Sequence, residues 1–70
     1  MEKVIRVGVM PGKIEEYVVE NTATFEDVIE MAELDTEGYE VKADGQKVED
    51  LKDEIGDTTL LLLAKQVKGN

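Results

Sequence analysis

The side chains of this 70-residue chain that could do chemistry are mostly carboxylates. Glu49, Asp50, Asp53, Glu54 and Asp57 crowd one short stretch, where oxygen ligands could gather around a divalent cation. Their spacing matches no calcium loop, and no glycine stands where such a loop turns sharply. They read as solvated turn residues. The chain has no cysteine and no histidine. That removes disulfides, thiolate and imidazole metal sites, and the commonest general base. No nucleophile–base pairing and no phosphate-cradling glycine loop is recognisable in the order of residues. The expectation is a chain that is not an enzyme and uses no metal or cofactor.

What is left is the chemistry of contact. Eight Lys and Arg stand against 17 Asp and Glu, a net charge of −9. Nucleic-acid backbones and anionic leaflets draw the opposite sign, so the expected partner is another protein, with neither nucleic acid nor membrane involved. The acids are segregated. Between Ile14 and Val41 lie Glu15, Glu16, Glu20, Glu26, Asp27, Glu30, Glu33, Asp35, Glu37 and Glu40, ten acids with no Lys or Arg among them. Such a run is first a solvated face that keeps a small protein dispersed; its functional counterpart is steering toward a basic partner. The opening residues Met1-Glu2-Lys3-Val4-Ile5-Arg6 put charges where a signal peptide needs apolar ones. The longest apolar run, Leu60 to Ala64, falls far short of the ~20 residues that span a bilayer. A cytoplasmic location is expected.

These residues need a scaffold, and the chain is long enough for one. With 41% hydrophobic and 36% charged residues, it should fold rather than stay disordered. Residues 1–66 are expected to form one domain and 67–70 a flexible C-terminal tail. The first element is a strand in which Ile5, Val7 and Val9 alternate with Val4, Arg6, Gly8 and Met10. Pro11-Gly12 suits a type II turn, and a looser connection or a bulge is expected around Gly8–Lys13. A second strand runs through Ile14–Val19, with Tyr17 and Val19 on one face and Glu16, Val18 and Glu20 on the other. Its parity is read as slipping relative to Ile14, in keeping with a bulge.

Thr24 is the best helix N-cap in the chain. Phe25, Val28, Ile29 and Ala32 follow at i, i+3, i+4 and i+7, one apolar stripe on a helix of about three turns closed by Gly38. Tyr39 to Ala43 alternates again and runs into Asp44-Gly45, a strong hairpin signal, with Gln46-Lys47-Val48 as a short return arm. Leu51 and Ile55 are spaced for a single helical turn that pins a loop. Thr58 to Ala64 is the most apolar strand. The helix must bury its stripe on one face of the sheet, and the last strand, after a long excursion, can enter between the outer ones parallel to the first. The fold class is α+β, a ubiquitin-like β-grasp: a ββαββ core with one helix on a mixed four- to five-stranded sheet.

Over nearly its whole length the chain resembles the ThiS/MoaD branch of the ubiquitin-like proteins. The resemblance rests on Ala23-Thr24-Phe25-Glu26-Asp27-Val28 entering the helix and on the strand–turn–strand from Tyr39 to Val48. It extends to Gly56-Asp57 before the apolar strand and to Val67-Lys68-Gly69-Asn70 at the tail. In that family an E1-like enzyme adenylates a terminal Gly-Gly carboxylate, which becomes a thiocarboxylate or an amide to lysine. Here Gly69 matches the first glycine, Asn70 replaces the second, and Lys68 precedes them. The resemblance thus implies, as the alternative function, a sulfur carrier or protein modifier activated at its C-terminal carboxylate by an E1-like enzyme, either as it stands or after trimming to Gly69.

The leading expectation comes from Leu60–Leu63. Side chains of a strand alternate between faces, so two of the four leucines must lie on the side of the sheet away from the helix. Alternation alone leaves the pair open; Leu60 and Leu62 are taken as outward. Joined by Val4, Arg6 and Val18 from neighbouring strands and rimmed also by Lys65, they make the expected partner-binding surface, since contiguous exposed apolar area marks interaction sites.

Overall fold

The computed structural model describes residues 1–65. The expected tail, 67–70, lies outside the described residues. Six elements follow in order: β1 (Glu2–Met10), β2 (Ile14–Glu20), α1 (Phe25–Met31), β3 (Tyr39–Ala43), β4 (Gln46–Lys47) and β5 (Leu60–Lys65). The strands form one sheet in the order β2-β1-β5-β3-β4. β5 runs parallel to β1 and antiparallel to β3, and the two hairpins β1–β2 and β3–β4 are antiparallel. One helix on a mixed five-stranded sheet, with the final strand at its centre, is the ubiquitin-like β-grasp.

One face of the sheet carries the core. Ile5 and Val7 of β1, Val19 of β2, Val41 of β3, and Leu61 and Leu63 of β5 are buried against Phe25, Val28 and Ile29 of α1 and against Ile55. Those strand residues share one parity, so a single layer of side chains fills the space under the helix. Phe25, Val28 and Ile29 of the expected stripe are buried and Ala32, its fourth member, packs partly buried as the C-cap; this burial holds a helix too short to persist alone.

The helix ends show why it stops where it does. Thr24 accepts from the Asp27 N–H at 3.1 Å while the Asp27 carboxylate accepts from the Thr24 N–H at 3.2 Å, a reciprocal capping box. At the other end Ala32 caps a helix of seven residues, shorter than the expected three turns. Glu33 takes a φ of 58°. The Leu34 N–H then reaches the Ile29 carbonyl at 3.1 Å and the Glu33 N–H reaches that of Glu30 at 3.0 Å, a Schellman closure. The helix therefore ends seven residues before Gly38, whose own φ of 82° serves the turn into β3.

Two turn expectations separate. Asp44 and Gly45, with φ of 49° and 86°, make the two-residue primed turn that joins β3 to β4. Gly12 has no positive φ, so the type II turn expected at Pro11-Gly12 is absent. The β1–β2 register is constant from Glu2↔Glu20 to Gly8↔Ile14, so no bulge interrupts it. The connection is a loose loop beyond Gly8. Ile14 therefore keeps the parity of Glu16 and Val18. From Glu49 to Gly56 the chain makes turns and one isolated bridge, Thr24↔Glu54, rather than the expected helical turn. Leu51 and Ile55 still pin it: the Leu51 and Asp53 carbonyls accept from the free N–H groups of Glu26 and Phe25 at 2.9 and 3.1 Å. No helix among the described residues is long and apolar enough to cross a membrane.

Candidate functional site

The sheet face away from α1 is built by the residues of opposite parity. β1 contributes Val4, Arg6, Gly8 and Met10; β2 contributes Ile14, Glu16 and Val18; β5 contributes Leu60, Leu62 and Ala64; β3 contributes Glu40 and Lys42. The register lines them up in rows. Val18 stands beside Val4; Glu16, Arg6 and Leu60 form the next row; Ile14, Gly8, Leu62 and Lys42 form the one after. The four expected site residues, Val4, Arg6, Leu60 and Leu62, are therefore brought onto one face of adjacent strands. Leu61 and Leu63 are fully buried on the other side, which fixes the outward pair.

Among the described residues this face gathers most of the exposed large hydrophobic side chains. Val18, Val4, Met10 and Ile14 keep 61%, 52%, 51% and 41% of their surface in solvent, and Leu60 and Leu62 are half-buried. Gly8 makes the close approach possible. A Cβ there would stand 2.5 Å from the Lys13 carbonyl oxygen and 2.7 Å from the Ile14 side chain. Without one, Ile14 lies across β1 and extends the apolar row toward Leu62. Lys42, and Lys47 in an ion pair with Glu40 at 3.8 Å, flank the β3–β4 side. Lys65 shares the parity of Leu61 and Leu63, so it does not rim the open face as expected. Lys68, Gly69 and Asn70 lie outside the described residues.

Two clamps fasten the start of β5. The Asp44 carboxylate accepts from the Thr59 hydroxyl and the Leu60 N–H at 2.9 Å each and from the Thr59 N–H at 3.2 Å. The Asp44 N–H returns a bond to the Leu60 carbonyl at 2.8 Å. The Thr59 hydroxyl, with the two N–H groups and the Lys3 ammonium, holds the Asp44 carboxyl below its ordinary 3.8 despite the opposing cost of desolvation. Next to it the Lys3 ammonium donates to the carbonyls of Gly56 and Thr58, so the turn that delivers β5 is tied to β1.

The crowded acids of the 49–57 stretch behave differently from a ligand set. Glu49, Asp53 and Asp57 rim an open hollow of about 570 Å³ with Asp44 and Lys47. Among the described residues no three acidic side chains converge as metal ligands. The chain matches no protein-family model and no curated protein, so geometry and charge carry the functional reading.

Proposed function

We propose that this protein is a non-enzymatic interaction module that binds another protein through the open face of its sheet. One observation carries the reading: among the described residues, four of the six exposed large hydrophobic side chains, Val4, Met10, Ile14 and Val18, fall on that one face beside Leu60 and Leu62. Strands about 4.8 Å apart with about 3.3 Å per residue give this face roughly 400 Å². A standard interface takes about 800 Å² from each partner, so the face suits a transient contact or the centre of a larger one. Arg6 and Glu16 within the apolar rows supply orientation.

The test separates face from core. Leu62→Glu and Val4→Glu should leave the circular dichroism spectrum and cooperative melt in place while abolishing capture of the partner from cell extract. Leu61→Glu should unfold the chain, because an unpaired charge at a fully buried position costs several kcal/mol, about the whole stability of a small domain. Capture that survives both outward substitutions overturns the reading.

The ThiS/MoaD-like carrier role is the second reading, favoured by the β-grasp topology together with the likeness of Gly69 to the first glycine of that family's pair. It rests on fold analogy. Incubation with an E1-like activating enzyme and ATP, followed by intact-mass measurement, tests it: an adenylate, a thiocarboxylate or a form shortened to Gly69 supports it, and an unchanged mass removes it.

A further inference from the structure

β2 stands at the end of the sheet, with β1 on one side and no described residue paired on the other. The 3.0 Å bond from the Asn21 N–H to the Met1 carbonyl shows how its backbone groups point. Hydrogen-bonded and non-hydrogen-bonded pairs alternate along an antiparallel ladder. Stepping by two from that pair, Val19, Tyr17 and Glu15 turn their backbone groups toward Lys3, Ile5 and Val7. Glu20, Val18, Glu16 and Ile14 turn theirs outward. A free row of donors and acceptors is a template for another strand.

Natural edges are protected by lysines, prolines, bulges or brevity. β2 runs seven residues with no Lys and no Pro, in unbroken register. Its protection is of one sign: Glu15, Glu16 and Glu20. Among the described residues Glu20 pairs with the terminal ammonium at 3.1 Å, while Glu15 and Glu16 pair with no cation within 4.0 Å. Glu15 instead accepts from the Tyr17 hydroxyl at 3.2 Å. Two copies meeting edge to edge would bring these acids together, and like charges across strands destabilise pairing. A basic chain meets no such penalty.

We propose that β2 takes up an extended, lysine- or arginine-bearing segment of a partner protein as an added strand. Its backbone bonds to Ile14, Glu16, Val18 and Glu20, its basic side chains face Glu15 and Glu16, and an apolar one lies against Val18. This site is the rim of the sheet rather than its face, and it stands whether or not the face docks a protein.

The experiment titrates the ¹⁵N-labelled full chain with a synthetic eight-residue peptide repeating Lys-Lys-Val-Val, which can set adjacent lysines against Glu15 and Glu16, on opposite faces of the sheet, and a valine against Val18. Expected are shifts and slowed hydrogen exchange at the outward amides of β2. Affinity should fall about tenfold on raising salt from 50 to 300 mM, as screening of several charge pairs requires. N-methylating the alternate peptide residues that face β2 should abolish binding, whereas methylating the other alternate set should leave it intact. Charge reversal by Glu15→Lys with Glu16→Lys should weaken it by tenfold or more. Equal binding of both methylated peptides, or of the matching Glu-Glu-Val-Val peptide, overturns the proposal. Shifts centred on Leu62 rather than on β2, or β2 shifts that track the concentration of this chain alone, overturn it as well.

Discussion

Asp44 does two jobs that its residue type makes compatible. A short polar side chain tolerates the positive φ of a primed turn, and the same carboxylate reaches across to Thr59 and Leu60 to fasten β5. Its folded carboxyl is held below 3.8, so the stabilisation it gives is complete above the unfolded value and is lost as pH falls below 3.8 through the folded one. Asp44→Asn keeps the turn and removes the charge. It should cost about 1 kcal/mol at neutral pH, the low figure for charged hydrogen bonds at an exposed site. Urea melts between pH 2 and 6 should converge for the two proteins at the acid end. Glu33 is the opposite case, a residue ill-suited to its place. Its φ of 58° costs a side-chain-bearing residue energy that glycine does not incur, and its charge faces the negative end of the helix. Glu33→Gly should stabilise by roughly 0.5–1 kcal/mol and raise the melting temperature by about 4 °C.

At the scale of elements, what the sequence reveals depends on the range of the interaction that decides. Thr24 as cap, the stripe of Phe25, Val28 and Ile29, and the Asp44-Gly45 turn are local features, and all three form as read. The helix end was hidden because Glu33 fills a place usually given to glycine, so Gly38 drew the boundary instead. Ile14 was misplaced for a related reason. Pro11-Gly12 suggested a bulge, whereas continuous alternation back from Val18 would have put Ile14 on the open face. The Asp44–Thr59 clamp and the Lys3 clamp on the 56–58 turn join residues far apart in sequence; no local pattern signals either. Alternation guaranteed that two leucines of β5 would be inward, but only the register with β1 and β3 shows that they are Leu61 and Leu63.

Across the whole molecule, charge opposes compactness. A net −9 on 70 residues, with a ten-acid run free of bases, repels itself in the folded state more than in the expanded one. Added salt should therefore stabilise: between 10 and 300 mM NaCl, where the screening length shrinks from about 30 Å to under 8 Å, the melting temperature should rise steadily. A flat or falling profile would show that these acids are compensated. The placement of β5 has a consequence for the life of the chain. Of the described strands, the one made last is the one that both hairpins need as a neighbour, so a nascent chain halted before Leu60 holds two separate ribbons with nothing between them. Translation must bring the leucines clear of the ribosomal tunnel before the sheet can close, and a product released before Leu60 should be far more open to proteolysis than the whole chain.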